Sequence, residues 1–441
     1  MAMDLATTPD ETPATTAEWS QTKRIAFRFF FVYFTLYCLS NQIINSVFIV
    51  PKIDIPDWAT LWPVRLWIIW VAHHIFRVKT DLVYSGSGSG DKVFDWVLVF
   101  CLLVVAFVAT VLWSVLDRKR TSYPVLGKWF LLFLRVCLAG QMLTYGSVKV
   151  IPLQMPFPYP FKFLEPLRSF SPMGVLWTSV GVSPAYEVFT GCAELTAGFL
   201  LIFPRTATLG ALAALADLVQ VFVLNMTYDV CVKLLSFQLI ILSLLLLAPN
   251  IQRLFNFFFR SQPAALAAAE PLFRSPRANR IARAVLAALW LWIIANNIYG
   301  DWDGWHKYGS GQPQSALGGI WTIQKLAIDG QPQPLLASNP DEWRRISFDL
   351  ANWAHIQHMD DSLASYNAAL DAKNEILALT TPRDKHWQAN FNYTRPARDA
   401  LLLDGTVNGH KQHIELKLMD SAQFLLTSRG FHWVQDYPFN R

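Results

Sequence analysis

Several apolar runs in this 441-residue chain are long enough to cross a lipid bilayer, and some of them carry ionisable side chains. A charge at the bilayer centre costs at least about 2.5 to 3.5 kcal/mol, so such residues face a bundle interior, pair with each other or line a site. They are Arg135, Lys149, Glu194, Asp217, Asp229 and Lys233. The pattern predicts a polar intramembrane cavity that opens outward.

The composition is typical of an integral membrane protein. Hydrophobic residues make up 53% of the chain and charged residues only 16%, which is too apolar for a soluble protein of this size. The net charge of +5 does not indicate nucleic-acid binding, because the basic residues lie beside apolar runs. The five cysteines form no CxxC pair, so we expect neither a disulfide framework nor a cysteine zinc site.

Seven apolar runs are predicted to span the membrane, since each approaches the length of about 20 helical residues that a bilayer core requires. The runs are Ile25–Val50, Trp96–Leu116, Trp129–Val150, Tyr186–Phe203, Ala207–Met226, Val232–Pro249 and Ile281–Tyr299. A shorter run at 61–76 is interrupted by Pro63 and Arg65. We expect it to form an interfacial or re-entrant helix.

The distribution of Lys and Arg predicts the orientation. Basic residues precede the first run, occupy 117–120 after the second, and crowd the connection 253–283 before the seventh. With seven spans these positions share one side, which the positive-inside rule assigns to the cytoplasm. We therefore expect a disordered cytoplasmic tail over 1–22, a helical membrane domain over 23–300 and an extracytoplasmic domain over 301–441. The expected location is a bacterial-type inner (plasma) membrane.

The long apolar runs end near residue 300. Over 301–441, apolar and polar residues alternate with a period of two between turn signals. The predicted strands are Ile346–Leu350, Glu375–Leu379, Trp387–Tyr393, Ala400–Leu403, His413–Leu418 and Phe424–Leu426. Turns are predicted at Asp404-Gly405 and Asn408-Gly409. We expect an antiparallel β-rich domain, a sandwich or a barrel, that could recruit an extracytoplasmic protein partner.

Gln141, Tyr145 and Lys149 recur every four positions in the third span. They therefore form a polar stripe along one face of this helix. Asp229 and Lys233 are also four apart and can form an ion pair at the outer end of the bundle. The candidate ligand-binding residues are Arg135, Gln141, Tyr145, Asn225, Tyr228, Asp229 and Lys233.

Two interpretations of the buried charges stay open. Lys149 could pair with Glu194 or Asp217 only to hold the helices in register. Alternatively, the three residues form a ligand or proton site, because a desolvated Lys can act as a base or donate to a carbonyl while carboxyl groups relay protons. Such a site suits a quinone that arrives from the bilayer. Membrane lipid is the other expected binding partner.

No haem or metal is predicted. The adjacent residues His73 and His74 point to different helix faces, so they are poor joint haem ligands. His355 and His358 stand beside two aspartates, but their spacing matches no zinc signature, and we expect a solvated turn there.

The stretch from Arg135 through YGSVKVIP at 145–152 to CAELTAGFLLIFPRTATLGALAAL at 192–215 resembles the DoxX-like family of four-helix membrane proteins. The matching positions are Arg135, Gly146, Lys149, Glu194, Gly198 and Arg205. The stretch is also distantly similar to the membrane domain of vitamin K-dependent γ-carboxylase-like proteins. In those proteins a Lys at the corresponding helix end belongs to a quinol-dependent site, and a His is expected near the position of Asp217. The resemblance covers roughly residues 125–250 and implies a four-helix core.

Three functions remain open. The first is a quinone-linked membrane oxidoreductase component in which Lys149, Glu194 and Asp217 surround the head group as catalytic residues. The second is a non-catalytic scaffold whose β-rich domain recruits partners. The third is a carrier for a lipid-like solute. No Gly-x-Ser-x-Gly, P-loop or dinucleotide motif occurs in the sequence.

Overall fold

The computed structural model describes residues 18–50, 53, 55–85, 90–263, 271–336, 338–381 and 384–440. Most of the predicted tail, residues 1–17, and positions 86–89 of the glycine-serine segment lie outside these ranges. The chain divides into two compact units. Unit 1 comprises Met1–Gly146 and Ala193–Ile298, and unit 2 comprises Ser147–Cys192 and Tyr299–Arg441.

The helices of the described residues are α1 Gln21–Ser40, α2 Gln42–Asn45, α3 Val64–His74, α4 Val93–Leu116, α5 Pro124–Val150, α6 Pro172–Gly181, α7 Pro184–Ile202, α8 Ala207–Thr227, α9 Lys233–Leu247, α10 Ile251–Arg260, α11 Pro276–Tyr308 and α12 Leu425–Ser428. Within the described ranges, six helical stretches are long and apolar enough to cross a membrane: α4, α5, α7, α8, α9 together with α10, and α11. The chain is therefore a helical membrane protein with a separate β domain.

The first predicted span is broken in the structure. Helix α1 ends at Ser40 because Asn41 adopts an extended backbone, and the Asn41 side chain accepts a hydrogen bond from the Ile43 amide to start α2. Helix α1 is not among the six apolar stretches, although Phe34 and Tyr37 are buried in the core of unit 1. The predicted interfacial segment forms α3, whose 11 residues extend about 16 Å and cannot cross a bilayer.

Glycines bring α5, α7 and α8 close together at the centre of unit 1. A Cβ atom on Gly198 would lie 3.0 Å from the Leu143 side chain, and one on Gly210 would lie 2.7 Å from the backbone nitrogen of Leu201. Small residues let the backbones of membrane helices approach closely. Gly198 therefore belongs to the helix packing of this region.

A buried arginine joins the helices at one end of unit 1. The Arg28 guanidinium donates to the Tyr123 hydroxyl at 2.7 Å, to Ser114 Oγ at 2.8 Å and to the Asp117 carbonyl oxygen at 3.0 Å. Tyr123 in turn donates to the Asp117 carboxylate at 2.9 Å. This network ties α1 to the end of α4 and the start of α5, and no feature of our sequence analysis had singled out Arg28.

The basic segments collect at the same end of unit 1. Arg24 donates to the carbonyl oxygen of Arg120 at 2.9 Å, which joins the start of α1 to the connection between α4 and α5. The ring of Trp129, early in α5, contacts Phe273, whose centroid lies 5.5 Å away. Since Phe273 shortly precedes α11, the basic start of α11 lies at this end as well.

Unit 2 contains a closed antiparallel barrel. Its strands are β1 Gln314–Ile328, β2 Gln331–Gln333, β3 Trp343–Leu350, β4 Trp353–His358, β5 Leu363–Asp371, β6 Ile376–Thr381, β7 Asp384–Ala397, β8 Ala400–Val407 and β9 His410–Leu418. Strand β9 pairs back to β1, so eight strands close the barrel and β2 only extends the edge of β1. An eight-stranded barrel has room for its own side chains, and Trp321, Phe348 and Phe391 are among those that fill it.

Two of the local predictions in this domain are wrong. Phe424–Leu426 does not form a strand, because α12 begins at Leu425. Asp404-Gly405 lies inside β8, where a Cβ atom on Gly405 would overlap the carbonyl oxygen of Asn390, so this glycine allows close strand approach. Asn408-Gly409 is the predicted turn, with positive φ at both residues, and joins β8 to β9.

We predict that Arg28→Met lowers the stability of the bundle by about 3 kcal/mol, because it leaves the buried Tyr123 hydroxyl and the half-buried Asp117 carbonyl oxygen without their cationic partner. Arg28→Lys should lose less, since the charge remains. The measurement is thermal unfolding of the purified protein in detergent. Arg118→Met, at an exposed position nearby, is the control. Equal unfolding temperatures of Arg28→Met and Arg118→Met would contradict the prediction.

Candidate functional site

The first two members of the polar stripe on α5 bond to the start of α2. Gln141 donates through Nε2 to the carbonyl oxygen of Gln42 at 3.3 Å, and Gln42 donates through its own Nε2 to the Tyr145 hydroxyl at 2.8 Å. Gln141 is only 2% exposed. These bonds hold the chain against α5 just after the break in the first predicted span, so they support the fold directly.

Lys149 lies one turn further along α5, in unit 2, and like Glu187 at the start of α7 it is a buried ionisable residue at a helix end. Its ammonium interacts electrostatically with the carboxylate of Glu187 in the first turn of α7. Ser147 donates to Asp301 Oδ2 on α11 at 2.5 Å. Ser147, Lys149 and Glu187 are all at most 7% exposed. Ser147 and Lys149 are two residues apart on α5 and so face different sides of it. We name Lys149, Glu187 and Met155, whose backbone amide bonds to Glu187, the helix-end cluster.

Glu187 is the most buried member of the helix-end cluster, with 1% exposure. Its Oε1 atom accepts a hydrogen bond from the backbone N–H of Met155 at 2.8 Å. Its Oε2 atom has no hydrogen-bond partner among the described residues. A buried polar atom in this state costs roughly 1 to 3 kcal/mol. A ligand or a proton that reached Oε2 would therefore be stabilised there.

Glu194 and Asp217, predicted with Lys149 as catalytic residues, belong to unit 1. Glu194 on α7 is 4% exposed and interacts electrostatically with Tyr145. Asp217 is half-buried in the middle of α8, and Arg135 is half-buried on α5. Each of these ionisable residues thus lies within a helix of the bundle.

The predicted pair of Asp229 and Lys233 forms at the turn between α8 and α9, with 2.8 Å between Lys233 Nζ and Asp229 Oδ1. The Asp229 side chain is 81% exposed. Asp91 completes the arrangement, because its carboxylate accepts the backbone N–H groups at positions 233 and 234 and caps α9. This pair therefore stabilises a helix end near solvent.

Asn225 and Tyr228 close the end of α8. Asn225 donates to Ser236 Oγ on α9 at 3.0 Å, and the Tyr228 backbone N–H bonds to the Leu224 carbonyl oxygen. The Asn225 side-chain bond joins neighbouring helices. Of the predicted ligand-binding residues, Asn225 thus has a clear structural role.

A second polar cluster lies on the outer face of the barrel. Ile346 and Phe348 face the barrel core, so Ser347 and Asp349 point outward, yet they are only 0% and 6% exposed. Ser347 Oγ donates to Asp349 Oδ1 at 2.5 Å. His355 stands opposite Ser347 on β4, and its Nδ1 lies 3.0 Å from Asp349 Oδ2 without the alignment of a hydrogen bond.

The connection between α5 and α6 covers this outer polar cluster. The Phe161 ring stacks on the His355 ring with 3.8 Å between centroids. Gln357 on β4 donates through Nε2 to the carbonyl oxygen of Leu164 at 3.1 Å. These contacts lie within unit 2 and explain how outward-pointing polar side chains become buried.

The predicted solvated turn at 355–361 is wrong for His355, which lies within β4 with its side chain 13% exposed. His358 is directed to the Asp341 carbonyl oxygen, with Nδ1 at 2.9 Å. Across the described part of the chain, no group of three or more His, Cys, Asp or Glu residues has a geometry that could hold a metal ion.

Several residues of these sites were not predicted from the sequence as site residues, among them Glu187, Asp301 and Asp91. Glu187 stands seven residues before Glu194 and has the same signal, an acid in an apolar run. Asp301 was placed outside the membrane domain because the apolar pattern ends at Tyr299, whereas α11 continues to Tyr308. Asp91 has no recognisable signal, since its role depends on a contact with a distant helix.

Comparison with known proteins identifies a bacterial relative. No family model and no solved structure matches this chain. The uncharacterized protein YwoB of Bacillus subtilis (strain 168) is 34% identical to it over 129 residues. The match covers 29% of this chain and 81% of YwoB. Because it includes most of YwoB, this chain belongs to the same family as YwoB.

Proposed function

We propose that this protein is a membrane-embedded component of a quinone-linked oxidoreductase, and that the helix-end cluster borders the site for the quinone head group. The observation that carries the proposal is Glu187, a 1% exposed carboxylate whose Oε2 has no partner among the described residues. A bound quinone would supply two-electron chemistry coupled to proton uptake and release. The protein would supply the donors, acceptors and proton-carrying groups around it.

The residues of the helix-end cluster fit such a head group. The Lys149 ammonium has three N–H donors, so it can donate to a carbonyl oxygen in addition to its other interactions. Glu187 Oε2 can accept a hydrogen bond from a hydroxyl group or hold a proton. Together these groups can bind an oxygen-bearing ring and exchange protons with it.

The resemblance to quinol-linked membrane proteins favours the same proposal, because Lys149 stands where those proteins have the Lys of their quinol-dependent site. Within this proposal, Glu194 and Asp217 are proton-relay groups. Both are ionisable side chains held in apolar helices, α7 and α8, of the region that resembles the DoxX-like four-helix core.

We also propose that the protein lies in a bacterial-type inner membrane with its N-terminus in the cytoplasm and its barrel outside. If α1 is counted with the six apolar stretches, the chain crosses the bilayer seven times. The basic segments at one end of unit 1 then lie in the cytoplasm, as the positive-inside rule requires.

A second candidate function, a scaffold that presents the barrel to an extracytoplasmic partner, is favoured by the C-terminal segment 429–440. Phe431, Trp433 and Val434 are 77%, 91% and 84% exposed. Exposed aromatic side chains of this kind are enriched at protein interfaces.

We predict that Glu187→Gln and Lys149→Met each weaken quinone binding by at least about tenfold, because each removes a charged hydrogen-bonding group facing the head group. The measurement is equilibrium binding of a short-chain ubiquinone and a short-chain menaquinone to the purified protein.

The control for the quinone experiment is Glu165→Gln, which removes an acid paired with Lys162 in the same unit. Its quinone affinity should equal that of the unchanged protein. Thermal unfolding shows whether each variant retains its fold. Wild-type affinity in both folded variants, Glu187→Gln and Lys149→Met, would remove the proposed site.

We predict that a cysteine at position 373 on the barrel reacts with a membrane-impermeant maleimide in intact cells, whereas one at position 119 reacts only after lysis. Lys373→Cys and Lys119→Cys are introduced singly into a protein whose native cysteines are replaced, and both positions are exposed. The reverse labelling pattern would invert the proposed orientation.

The scaffold function predicts a stoichiometric partner that is captured by the full chain under mild detergent and lost when residues 429–440 are removed. Because these residues follow β9 and α12, the barrel strands remain complete in the truncated chain. Capture that is absent, or unchanged by the truncation, would count against this function.

A further inference from the structure

Helix α10 begins where the α9 span ends. Helix α9 has 15 residues and the 3-10 turn that follows has 3, so together they extend about 27 Å, close to the thickness of a bilayer core. Asn250, the last residue of the turn, donates to Thr208 Oγ1 at 3.3 Å. Thr208 is the second residue of α8, directly after the α7–α8 turn. Asn250 therefore marks the end of the bundle, and α10 lies beyond it.

The sequence of α10 has one apolar and one polar face. Ile251, Leu254, Phe255 and Phe258 follow the i, i+3, i+4, i+7 pattern of one helix face. On the other face, Gln252, Asn256 and Arg260 recur every four residues. The side chains of Phe258 and Phe259 are 61% and 76% exposed. A helix with an apolar and a polar face at the end of a membrane bundle is typical of helices that lie in the bilayer interface.

The segment that follows α10 is strongly basic. Between positions 249 and 300 the sequence contains six arginines and a single acidic residue, Glu270, which lies outside the described residues. Arg260 ends α10, and four further exposed arginines surround the start of α11: Arg274, Arg277, Arg280 and Arg283. The last three are spaced three apart, so they lie near one another on the first turns of α11.

Hydrogen bonds and a ring contact fix this basic segment against the bundle. The Asn279 side chain accepts from the Phe273 amide at 3.0 Å and donates to the Phe273 carbonyl oxygen at 2.6 Å. The Phe273 ring in turn contacts Trp129 on α5. The arginines are thus presented from an ordered platform at the end of unit 1.

We propose that α10 and the first turns of α11 form a binding surface for the head groups of anionic phospholipids. The phenylalanines of α10 insert between the acyl chains, and the arginines then meet the phosphates at the level of the head groups. Arginine matches phosphate geometry through paired N–H donors, and basic clusters next to membrane helices are attracted to anionic lipids. Neutral lipid of the same chain length offers the same apolar contact without the net negative charge.

The test compares phosphatidylglycerol with phosphatidylcholine on the purified full-length protein in detergent. Lipid retention is measured by native mass spectrometry, and the rise in unfolding temperature on lipid addition is measured in parallel. The unchanged protein should prefer phosphatidylglycerol by about tenfold or more. The variant with Arg260, Arg277, Arg280 and Arg283 all changed to Gln should lose this preference, while the corresponding Arg→Lys variant should keep it.

A matched control removes four exposed basic residues from the barrel: Lys373, Arg398, Lys411 and Lys417, each changed to Gln. It should keep the preference for phosphatidylglycerol. If the fourfold Gln variant of α10 and α11 fails to fold, Arg277→Gln and Arg280→Gln are measured singly, and each should lower the preference about two- to threefold.

Three outcomes would overturn the proposal. The unchanged protein could retain both lipids equally, the Gln variants could keep the full preference, or a polypeptide could co-purify through this surface without any preference for phosphatidylglycerol. The last result would assign the surface to a protein partner.

Discussion

A bilayer offers no water to polar groups, so each backbone and side-chain donor or acceptor in the bundle must find its partner inside the protein. Arg28 meets this requirement with four donated hydrogen bonds, and Gln42 meets it by bonding to both Gln141 and Tyr145. These bonds account for polar side chains that join helices. Buried side-chain oxygens without a hydrogen-bond partner among the described residues include Gln141 Oε1 and Glu187 Oε2. Glu187 differs from Gln141 because a carboxylate can take up a proton, so Glu187 suits a ligand or proton site.

The packed interior of the barrel affects where this domain can bind a ligand. Its interior is packed with its own side chains, including Trp321 and Phe391. We therefore expect a binding role of this domain to use its outer surface. One part of that surface carries the Ser347, Asp349 and His355 cluster, and the connection between α5 and α6 covers it.

The sequence predicts α4, α5, α7 and α8 to within several residues because hydropathy over some 20 positions outweighs local preference. The prediction fails where a single residue determines the local structure. Asn41 ends the first helix early because its side chain caps a new helix, and Gly405 allows close approach of two strands instead of forming a turn. Lys149 was predictable as a charge in an apolar run. Its interaction with Glu187 was not, because it depends on how the ends of separate helices meet in space.

One segment links the two polar clusters of unit 2. The connection after α5 supplies the Met155 N–H group that holds Glu187, and a few residues later it supplies Phe161 and Leu164, which cover the polar face of the barrel. Six residues separate Phe161, which stacks on the barrel residue His355, from Met155, whose amide bonds to Glu187. The same connection therefore contacts both polar clusters within unit 2.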